Sequence, residues 1–459
     1  MTETTSAHTS AGHIAPVPRI RGAGALRVLA ELGFAAIAAG VIVRRPLVMA
    51  GLERVQADST ALKCARRLRE QYGSGPVELV LPGRRILVIL DPADVQRVLE
   101  ESPDPFNPAT REKKAALNPF QPHAVLISEG HLREQRRLVN VAALDTPREL
   151  HRMASTIADV AGQEADVLLS QMTEAGSMSA DDLLIAWWKA VRRITFGDAA
   201  RDDEQTTDLL RKLRAAGNWS FLSRPHPMRR ERFIERLYQY VADPAPGSLA
   251  AALGEIPTTP AVDPIGQMPH WLFAFDAAGI AMSRALALLA THPEQMQRAL
   301  SEVGSDGAEP RTYDFLRDCM LESVRLWPTT PSILRDTTAD TYWGDDRSMV
   351  AKAGAGVIIQ APVFHRDPEL ANYANTFAPD IWSDGRAAAR PDLVPFSAGP
   401  ARCPGENLVL FTTSTFLAHL LRGGRFTLTS IPHLSPDAPL PVTFNNFGLR
   451  FEVSAPFAV

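Results

Sequence analysis

One cysteine near the C-terminal end of this 459-residue sequence stands in a setting that could do chemistry. Cys403 lies in the glycine- and proline-rich stretch PFSAGPARCPG, and the apolar run ENLVLFTTSTFLAHLL after it predicts a helix from near Glu406. A free cysteine is often no more than a small buried apolar residue. Here the predicted helix points its first N–H groups and the positive end of its dipole at the sulfur, which favours a thiolate.

A thiolate in such a loop indicates a metal site. No second cysteine or histidine stands at zinc-ligand spacing from Cys403, so the pattern favours haem iron with one axial cysteine over zinc. The other cysteines are Cys64 and Cys319, and three cysteines cannot form a disulfide framework. A reducing compartment, the cytoplasm, is therefore expected.

The residues around this cysteine resemble a known motif. Phe396, Gly399, Cys403 and Gly405 match F-x-x-G-x-x-x-C-x-G, which is similar to the haem-thiolate signature of the cytochromes P450. The resemblance implies that family's fold, which is mainly α with minor β: a triangular prism of helices with small β-sheets. It also implies haem b as the cofactor, Cys403 as the axial ligand, and Phe396 packed against the sulfur.

Three further stretches resemble the family in the same order along the chain. Glu322 and Arg325, which an (i, i+3) spacing puts on one helix face, are similar to its E-x-x-R pair and would be structural. Arg335 matches the strand arginine that binds a haem propionate. Arg136, in EGHLREQRRLVN, takes the second propionate position, and Arg137 is the alternative if the register shifts by one.

Two positions depart from the family pattern. The basic residue usual two places before the cysteine is Ala401 here, and Arg402 stands one place later. Arg402 is therefore expected either to contact the haem or to face an electron donor. The stretch FAPDIW, residues 377–382, also lacks the usual arginine, which leaves open whether Glu322 and Arg325 have their third partner.

The long apolar segment MPHWLFAFDAAGIAMSRALALLATHPEQ predicts a helix buried through the centre of the molecule. By the resemblance it crosses the oxygen side of the haem, where the family has A-G-x-acid-T and the acid and alcohol deliver protons. Ala278 and Gly279 are retained, and such small residues let a helix approach the haem closely. Ala281 replaces the acid and Met282 the alcohol, and neither side chain can donate a proton. Ser283 is rotated about 100° around the helix and is a poor substitute.

Asp276 stands earlier on the same helix. An unpaired carboxylate would be costly to bury there, so one interpretation is a core aspartate paired with an arginine or a helix end. The other interpretation is an anchor for a polar or cationic substrate.

The resemblance implies a haem-thiolate monooxygenase that oxidises a small-to-medium organic substrate in bacterial secondary metabolism or catabolism. Dioxygen is the expected oxidant, with electrons from a separate ferredoxin- or flavodoxin-type protein and with protons from the substrate or from water. A peroxide-driven peroxygenase and a radical-coupling enzyme are alternatives. A haem protein that binds a small ligand without turnover is the alternative of another class.

The resemblance also implies where the substrate lies. Its pocket would be lined by residues 120–126 and 219–222, by the central helix, and by residues 330–333 and 445–447. These positions are mainly apolar, which suits a medium-sized organic molecule, although each could equally be ordinary core. The side chains expected at the substrate are Phe120, Val125, Trp219, Phe221, Ala274, Ala277, Ile333 and Phe447.

The elements that position these residues are mainly helical. An amphipathic helix ends at Gly73, a β-hairpin turns at Pro82-Gly83, and residues 147–253 have helical spacing. Short strands are expected at residues 357–359 and around Ile333, and a terminal hairpin from RFTLTS and GLRFEVSA. One domain, 21–459, is expected after a disordered tail, 1–20.

Composition bounds the partners. The chain is 45% hydrophobic and 22% charged, as globular proteins are, and its net charge of −4 argues against nucleic acid. Residues 33–43 are apolar but too few to span a bilayer, so we expect a buried or surface-docked helix rather than a shallow membrane contact, and no transmembrane segment. A cytoplasmic monomer is expected. Arg133 and Arg402, near the cysteine, would attract an acidic electron donor.

Overall fold

Helices make up most of the structure, a computed structural model that describes residues 14–222, 224–304 and 309–455. This confirms the mainly helical class predicted from the apolar periodicity. The α-helices are α1 (Gly22–Ala39), α2 (Pro46–Arg54), α3 (Ser59–Tyr72), α4 (Pro92–Glu100), α5 (Arg111–Leu117), α6 (Gly130–Ala143), α7 (Ala154–Ala175), α8 (Ala180–Phe196), α9 (Glu204–Gly217), α10 (Pro227–Ala242), α11 (Leu249–Gly254), α12 (Met268–Thr291), α13 (Pro293–Val303), α14 (Asp314–Leu326), α15 (Ala361–His365) and α16 (Glu406–Gly423).

The strands form three small sheets with orders β1-β9-β8, β2-β3-β4-β10-β7-β5 and β11-β12-β6. The predicted hairpin is the antiparallel pair β3–β4, and the terminal hairpin is β11–β12. The strands are β1 (Ala15–Pro16), β2 (Arg19–Arg21), β3 (Val77–Leu81), β4 (Arg84–Val88), β5 (Phe106–Asn107), β6 (Ser177–Ser179), β7 (Ser332–Thr337), β8 (Thr341–Trp343), β9 (Met349–Ala351), β10 (Gly356–Gln360), β11 (Arg425–Leu428) and β12 (Arg450–Ser454).

Helix α12 is the buried central helix that the sequence predicts. Pro269 lies in its first turn, where a missing N–H costs nothing, and the helix ends at Thr291, two residues before Pro293. It packs against α8, α14 and α16 and belongs to the larger of two apolar cores. The second core lies beneath the six-stranded sheet and α3. Because α14, α16 and β7 carry the motif residues, both cores help to position the site.

The N-terminal tail is shorter than composition predicts. Residues 15–16 pair with β9 and residues 19–21 pair with β3, so the part from 14 to 20 is not a free tail. Residues 1–13, the rest of the predicted tail, lie outside the described residues. Pairing of main-chain groups, which polar composition does not reveal, orders this segment.

Two segments are long and apolar enough to cross a membrane by length and composition alone, Gly22–Ala39 and Pro260–Thr291. The second contains the core helix α12 and is mostly buried. The first is α1, which includes most of the apolar stretch 33–43. It packs against α2, α3 and β3 with part of its surface exposed, so it is a helix docked on the sheet, as expected.

Candidate functional site

The loop before α16 holds Cys403 by main-chain bonds. The Cys403 N–H donates to the Phe396 carbonyl oxygen at 3.0 Å, and the Gly405 N–H donates to the cysteine sulfur. Gly399 has φ +63°, and a Cβ there would lie 2.1 Å from the Leu99 carbonyl oxygen on α4. Only glycine can let the loop approach α4 this closely, which explains this position of the motif.

The pKa of the Cys403 thiol is raised in the protein alone. Burial raises the pKa of the Cys403 thiol to about 11, although the Gly405 N–H and the nearby Arg137 and Arg402 act in the opposite direction. Burial therefore outweighs the helix N-terminus in the protein alone. A cation bound at the sulfur would reverse this balance, because metal ligation deprotonates a thiol.

Arg136 has its guanidinium occupied by protein acceptors. Its Nε donates to the Val262 carbonyl oxygen at 3.0 Å, Nη1 to Ser128 Oγ at 2.7 Å and Nη2 to the Ala261 carbonyl oxygen at 3.3 Å. These bonds fasten α6 to the segment before α12. Three of the five guanidinium N–H groups of Arg136 are thus committed to protein acceptors, which disfavours the expected propionate role.

Arg133, one turn earlier on α6, has no such partners. It is 8% exposed, and its Nε is buried without a hydrogen bond among the described residues. Burial lowers the pKa of its guanidinium. The expectation of an exposed arginine that attracts an electron donor is therefore wrong for Arg133.

Arg133 and Arg335, which are both buried, lie in a group of cations with the half-buried Lys113. Burial, and then the charge of Arg133, lower the pKa of Arg335 to about 10. Burial, and then the charge of Arg335, lower the pKa of Lys113 well below its ordinary value, although Asp336 and Glu112 act in the opposite direction. Neither Arg335 nor Lys113 forms an ion pair with a carboxylate within the described part of the chain: Arg335 donates to Ser102 Oγ and Lys113 to two main-chain carbonyls.

Such a cluster fits a bound dianion. Buried cations that repel one another are unfavourable unless an anion compensates them, and arginine's planar fork suits carboxylates. The two propionates of a haem would supply that charge. Arg137 links the cluster to the cysteine, because it lies near both Arg133 and Cys403 and donates from Nη1 to the Arg402 carbonyl oxygen at 2.7 Å. The residues present therefore fit haem.

Arg402 does not join this cluster. Its side chain is 60% exposed and forms a two-pronged ion pair with Glu406, at 2.6 and 2.7 Å. The pair spans one turn at the start of α16. Of the two expectations for Arg402, the structure favours the outward-facing one, because the side chain points to solvent and has a carboxylate partner.

Glu322 and Arg325 form a fully buried ion pair on α14, with Nη2–Oε1 at 2.6 Å. The missing arginine of the 377–382 stretch is replaced by two neutral donors to Glu322: the Ala378 N–H at 2.9 Å and the Trp382 indole N–H at 3.1 Å. Arg325 also donates to the carbonyl oxygens of residues 365, 373, 374 and 376. This buried network fastens α14 to the stretch behind the cysteine loop.

Gly279 of the central helix has a different role from the one expected. A Cβ at Gly279 would lie 2.6 Å from the Trp187 ring, so this glycine allows close packing with α8 rather than with a cofactor. Ala281 and Met282 are buried, and the Ser283 hydroxyl donates to the Ile280 carbonyl oxygen at 2.8 Å. Ser283 is therefore committed to its own helix and is no substitute for the missing alcohol.

Asp276 pairs with Arg214 on α9, at 2.6 Å between Oδ2 and Nη2. This supports the interpretation of a core aspartate with an arginine partner. The guanidinium also lies over the Phe273 ring, 4.6 Å from its centroid. A cationic substrate would have to displace this arginine, so an anchor for a cation is disfavoured.

The expected substrate residues separate into two groups. Phe120 is buried and packs edge-on against Phe273 at 6.2 Å, which brings the 120–126 loop to the helix face that carries Ala274 and Ala277. Trp219 and Phe221 are 61% and 64% exposed and lie under Arg45 and Arg111 at the surface. The structure does not bring those two to the pocket.

The other residues expected at the substrate, Val125, Ile333 and Phe447, lie in three different places. Val125 is buried in the same loop, and its N–H donates to Gln267 at 3.1 Å. Ile333 is part of the core beneath the sheet, and Phe447 packs against the small cluster around Met49. Sequence reasoning included Gln121 only as a member of the 120–126 loop and missed His270 and Lys113, because a lone polar residue in an apolar stretch carries no pattern until packing shows its neighbours.

Comparisons with known proteins agree with this site. The family model "Cytochrome P450" matches residues 274–445, which include most of α12, the Glu322–Arg325 pair, Arg335 and Cys403. "Cytochrome P450 4g15" of Drosophila melanogaster is 29% identical over 33% of this chain and 28% of its own length. "Putative cytochrome P450 cyp-13B1" of Caenorhabditis elegans is 35% identical over 35% of this chain and 33% of its own.

A bacterial protein, "Cyclooctat-9-en-7-ol 5-monooxygenase" of Streptomyces melanosporofaciens, is 31% identical over 32% of this chain and 32% of its own length. The matches thus span about a third of the curated relatives. The motifs, the helical fold and these matches agree in pointing to haem-thiolate proteins as the class that this chain resembles. The chain is therefore similar over residues 274–445 to the cytochrome P450 family, whose cofactor is haem b.

Proposed function

We propose that this protein is a haem-thiolate monooxygenase that oxidises a small-to-medium organic molecule. The observation that carries the proposal is the pairing of Cys403, held in its loop, with a nearby group of buried cations that lack an anion. Bound haem, with iron ligated by a cysteine thiolate, supplies the activation of dioxygen. We extend this proposal to one catalytic domain, residues 21–459.

Different residues of the chain would bind the haem, fix the cysteine loop and exclude water. Arg133, Arg335 and Lys113 would hold the propionates of the haem, whose negative charge would neutralise these cations. Arg137 steadies the loop through the Arg402 carbonyl oxygen. Phe396, which packs against the helical core, shields the sulfur from water.

The protein must obtain its protons without an acid–alcohol pair. Ala281 and Met282 cannot donate, and the Ser323 hydroxyl, on α14, donates at 2.8 Å to the Ala281 carbonyl oxygen. That bond satisfies the helix backbone at the position of the missing acid. We propose that ordered water, or the substrate, carries the protons, with dioxygen as oxidant.

A second candidate is favoured by the same two residues. An enzyme that takes hydrogen peroxide needs no proton delivery to dioxygen, so Ala281 and Met282 fit a peroxygenase as well. Radical coupling and ligand binding without turnover remain the further alternatives; neither has a contact of its own in support.

One experiment separates the oxidants. Product formation is measured with a ferredoxin, its reductase and NADPH, and separately with hydrogen peroxide, for the parent and Met282→Thr. We expect the parent to turn over with the electron donor, and Met282→Thr to couple electron use to product no better, because the added hydroxyl admits water to an apolar turn. Turnover with peroxide alone would assign a peroxygenase, and no product with either would favour a ligand-binding protein.

The setting of the reaction is proposed from the relatives and the surface. The printed name of the Streptomyces relative describes oxidation of a cyclic alcohol, which supports bacterial secondary metabolism as the context. We propose a cytoplasmic monomer that receives electrons from a separate ferredoxin- or flavodoxin-type protein. Arg402 lies exposed on the cysteine side, where such an acidic partner would dock.

A further inference from the structure

Two buried polar atoms above the central helix lack partners. Gln121 is 1% exposed and Arg214 is 4% exposed, yet Gln121 Oε1 and Arg214 Nε make no hydrogen bond within the described residues. Buried polar groups in proteins are nearly always paired, so an orphaned acceptor at this depth needs an explanation. A ligand that completes the bond is one such explanation.

The side-chain amide of Gln121, whose oxygen lacks a partner among the described residues, lies beside His270. Gln121 Nε2 is 3.4 Å from His270 Nδ1. In that arrangement the amide nitrogen faces an acceptor ring nitrogen, so the proton of the neutral imidazole is on Nε2. The pair then offers one open acceptor, Gln121 Oε1, and one open donor, His270 Nε2–H.

The subsite carries no free charge. Burial, and then the charge of Arg214, lower the pKa of His270 to about 4, so the imidazole is neutral at physiological pH. Arg214 is itself compensated by Asp276 at 2.6 Å. A neutral group that is both a donor and an acceptor therefore matches the open atoms better than a carboxylate or an ammonium.

The subsite is held rigidly. Gln267, just before α12, accepts from the Val125 N–H at 3.1 Å and donates to the His123 carbonyl oxygen at 2.9 Å. The Gln121 N–H donates to the Leu117 carbonyl oxygen at 2.9 Å. The loop that carries Gln121 is therefore fastened at both ends to helices, as a selective site requires.

His270 also lies on a face of α12 that is not fully buried. His270, Phe273, Ala274 and Ala277 keep partial exposure on a helix that is otherwise mostly buried. Their spacing of three, four and seven residues puts them on one face. His270 of the subsite and the expected pocket residues Ala274 and Ala277 thus lie on the same face of α12.

We propose that Gln121 and His270 bind a hydroxyl group of the substrate, which makes the substrate class an apolar alcohol. The hydroxyl donates to Gln121 Oε1 and accepts from His270 Nε2–H, and the hydrocarbon part lies along Phe273, Ala274 and Ala277. This rests on the proposed function.

The test compares two probes that differ in one hydrogen-bond donor. Dodecan-1-ol and its methyl ether are titrated into the haem-loaded protein, and binding is followed by the shift of the haem Soret band. We expect the alcohol to bind roughly 10- to 100-fold more tightly, because the ether leaves Gln121 Oε1 unpaired. Gln121→Leu should remove most of that preference, and His270→Phe should weaken both probes alike.

His123→Phe is the matched control, because His123 is in the same loop but more than half exposed and paired with Asp263. It should keep the parent's preference. Equal binding of alcohol and ether by a parent with a normal thiolate-haem spectrum would overturn the hydroxyl subsite and leave the proposed function standing. A parent without that spectrum would overturn the proposed function, and tryptophan fluorescence titration of the same protein would then decide the preference. The haem content of each variant checks that it folds. If Gln121→Leu does not fold, the affinity of His270→Phe for the two probes tests the subsite instead, and we expect it to be lower for both.

Discussion

Exchanging the two neighbouring arginines of α6 for glutamine should give opposite results. In Arg133→Gln a buried cation without an anionic partner is removed, so the haem-free protein should be no less stable than the parent. Haem retention should fall, because a propionate loses a charged partner worth about 1.5–3 kcal/mol. That corresponds to a dissociation rate roughly 10- to 150-fold higher.

Arg136→Gln should show the reverse pattern. It breaks hydrogen bonds to Val262, Ser128 and Ala261 at 3.0, 2.7 and 3.3 Å, so the fold itself should lose about 2–3 kcal/mol. Unfolding entropy near 2.1 cal/mol/K per residue makes that roughly 2–3 °C in Tm for a chain of 459 residues. Haem dissociation should change little.

The assay is transfer of haem to an excess of a haem-scavenging apoprotein, with denaturant titration of the haem-free forms alongside. Arg335→Gln serves as a second member of the cation cluster and should behave as Arg133→Gln does. Faster haem loss from Arg136→Gln than from Arg133→Gln would refute the reasoning, since it would return the propionate to Arg136.

Three further changes follow from the packing and the titrating groups. Glu322→Gln breaks a fully buried ion pair and should lower the free energy of unfolding by about 3–5 kcal/mol in denaturant titrations. Glu369→Gln, at an exposed pair, is the control and should cause no measurable loss. Equal effects would contradict the structural role of Glu322. Gly279→Ala should lower stability by about 1–3 kcal/mol through contact with Trp187, and an unchanged unfolding midpoint would argue against that packing. The pKa of His270 is about 4 in the folded state against an ordinary 6.5, so between these pH values the folded state binds fewer protons than the unfolded state. The parent should therefore lose stability more steeply than His270→Phe as pH falls from 6.5 to 4. Parallel stability profiles against pH would contradict a buried neutral imidazole.

The sequence predicts the helical class, the central helix, both hairpins and the ion pair of α14, because each depends on local periodicity or on a motif of fixed spacing. It cannot decide which of Arg133, Arg136 and Arg137 faces the haem, because these residues lie within about one turn of a single helix and only the docking of that helix distinguishes them. Gly279 and Asp276 illustrate the same limit: their partners, Trp187 and Arg214, lie far away in sequence. The hydroxyl subsite depends on an orphaned atom, which only packing reveals.

The spectrum of the reduced protein with carbon monoxide tests the central claim, that Cys403 holds haem through a thiolate. The parent should give the long-wavelength Soret band of thiolate-ligated haem. Cys64→Ala and Cys319→Ala, which remove the two buried cysteines of α3 and α14, should keep that band, and Cys403→Ala should lose it. A band that survives in Cys403→Ala, or that is absent from a haem-loaded parent, would contradict the account.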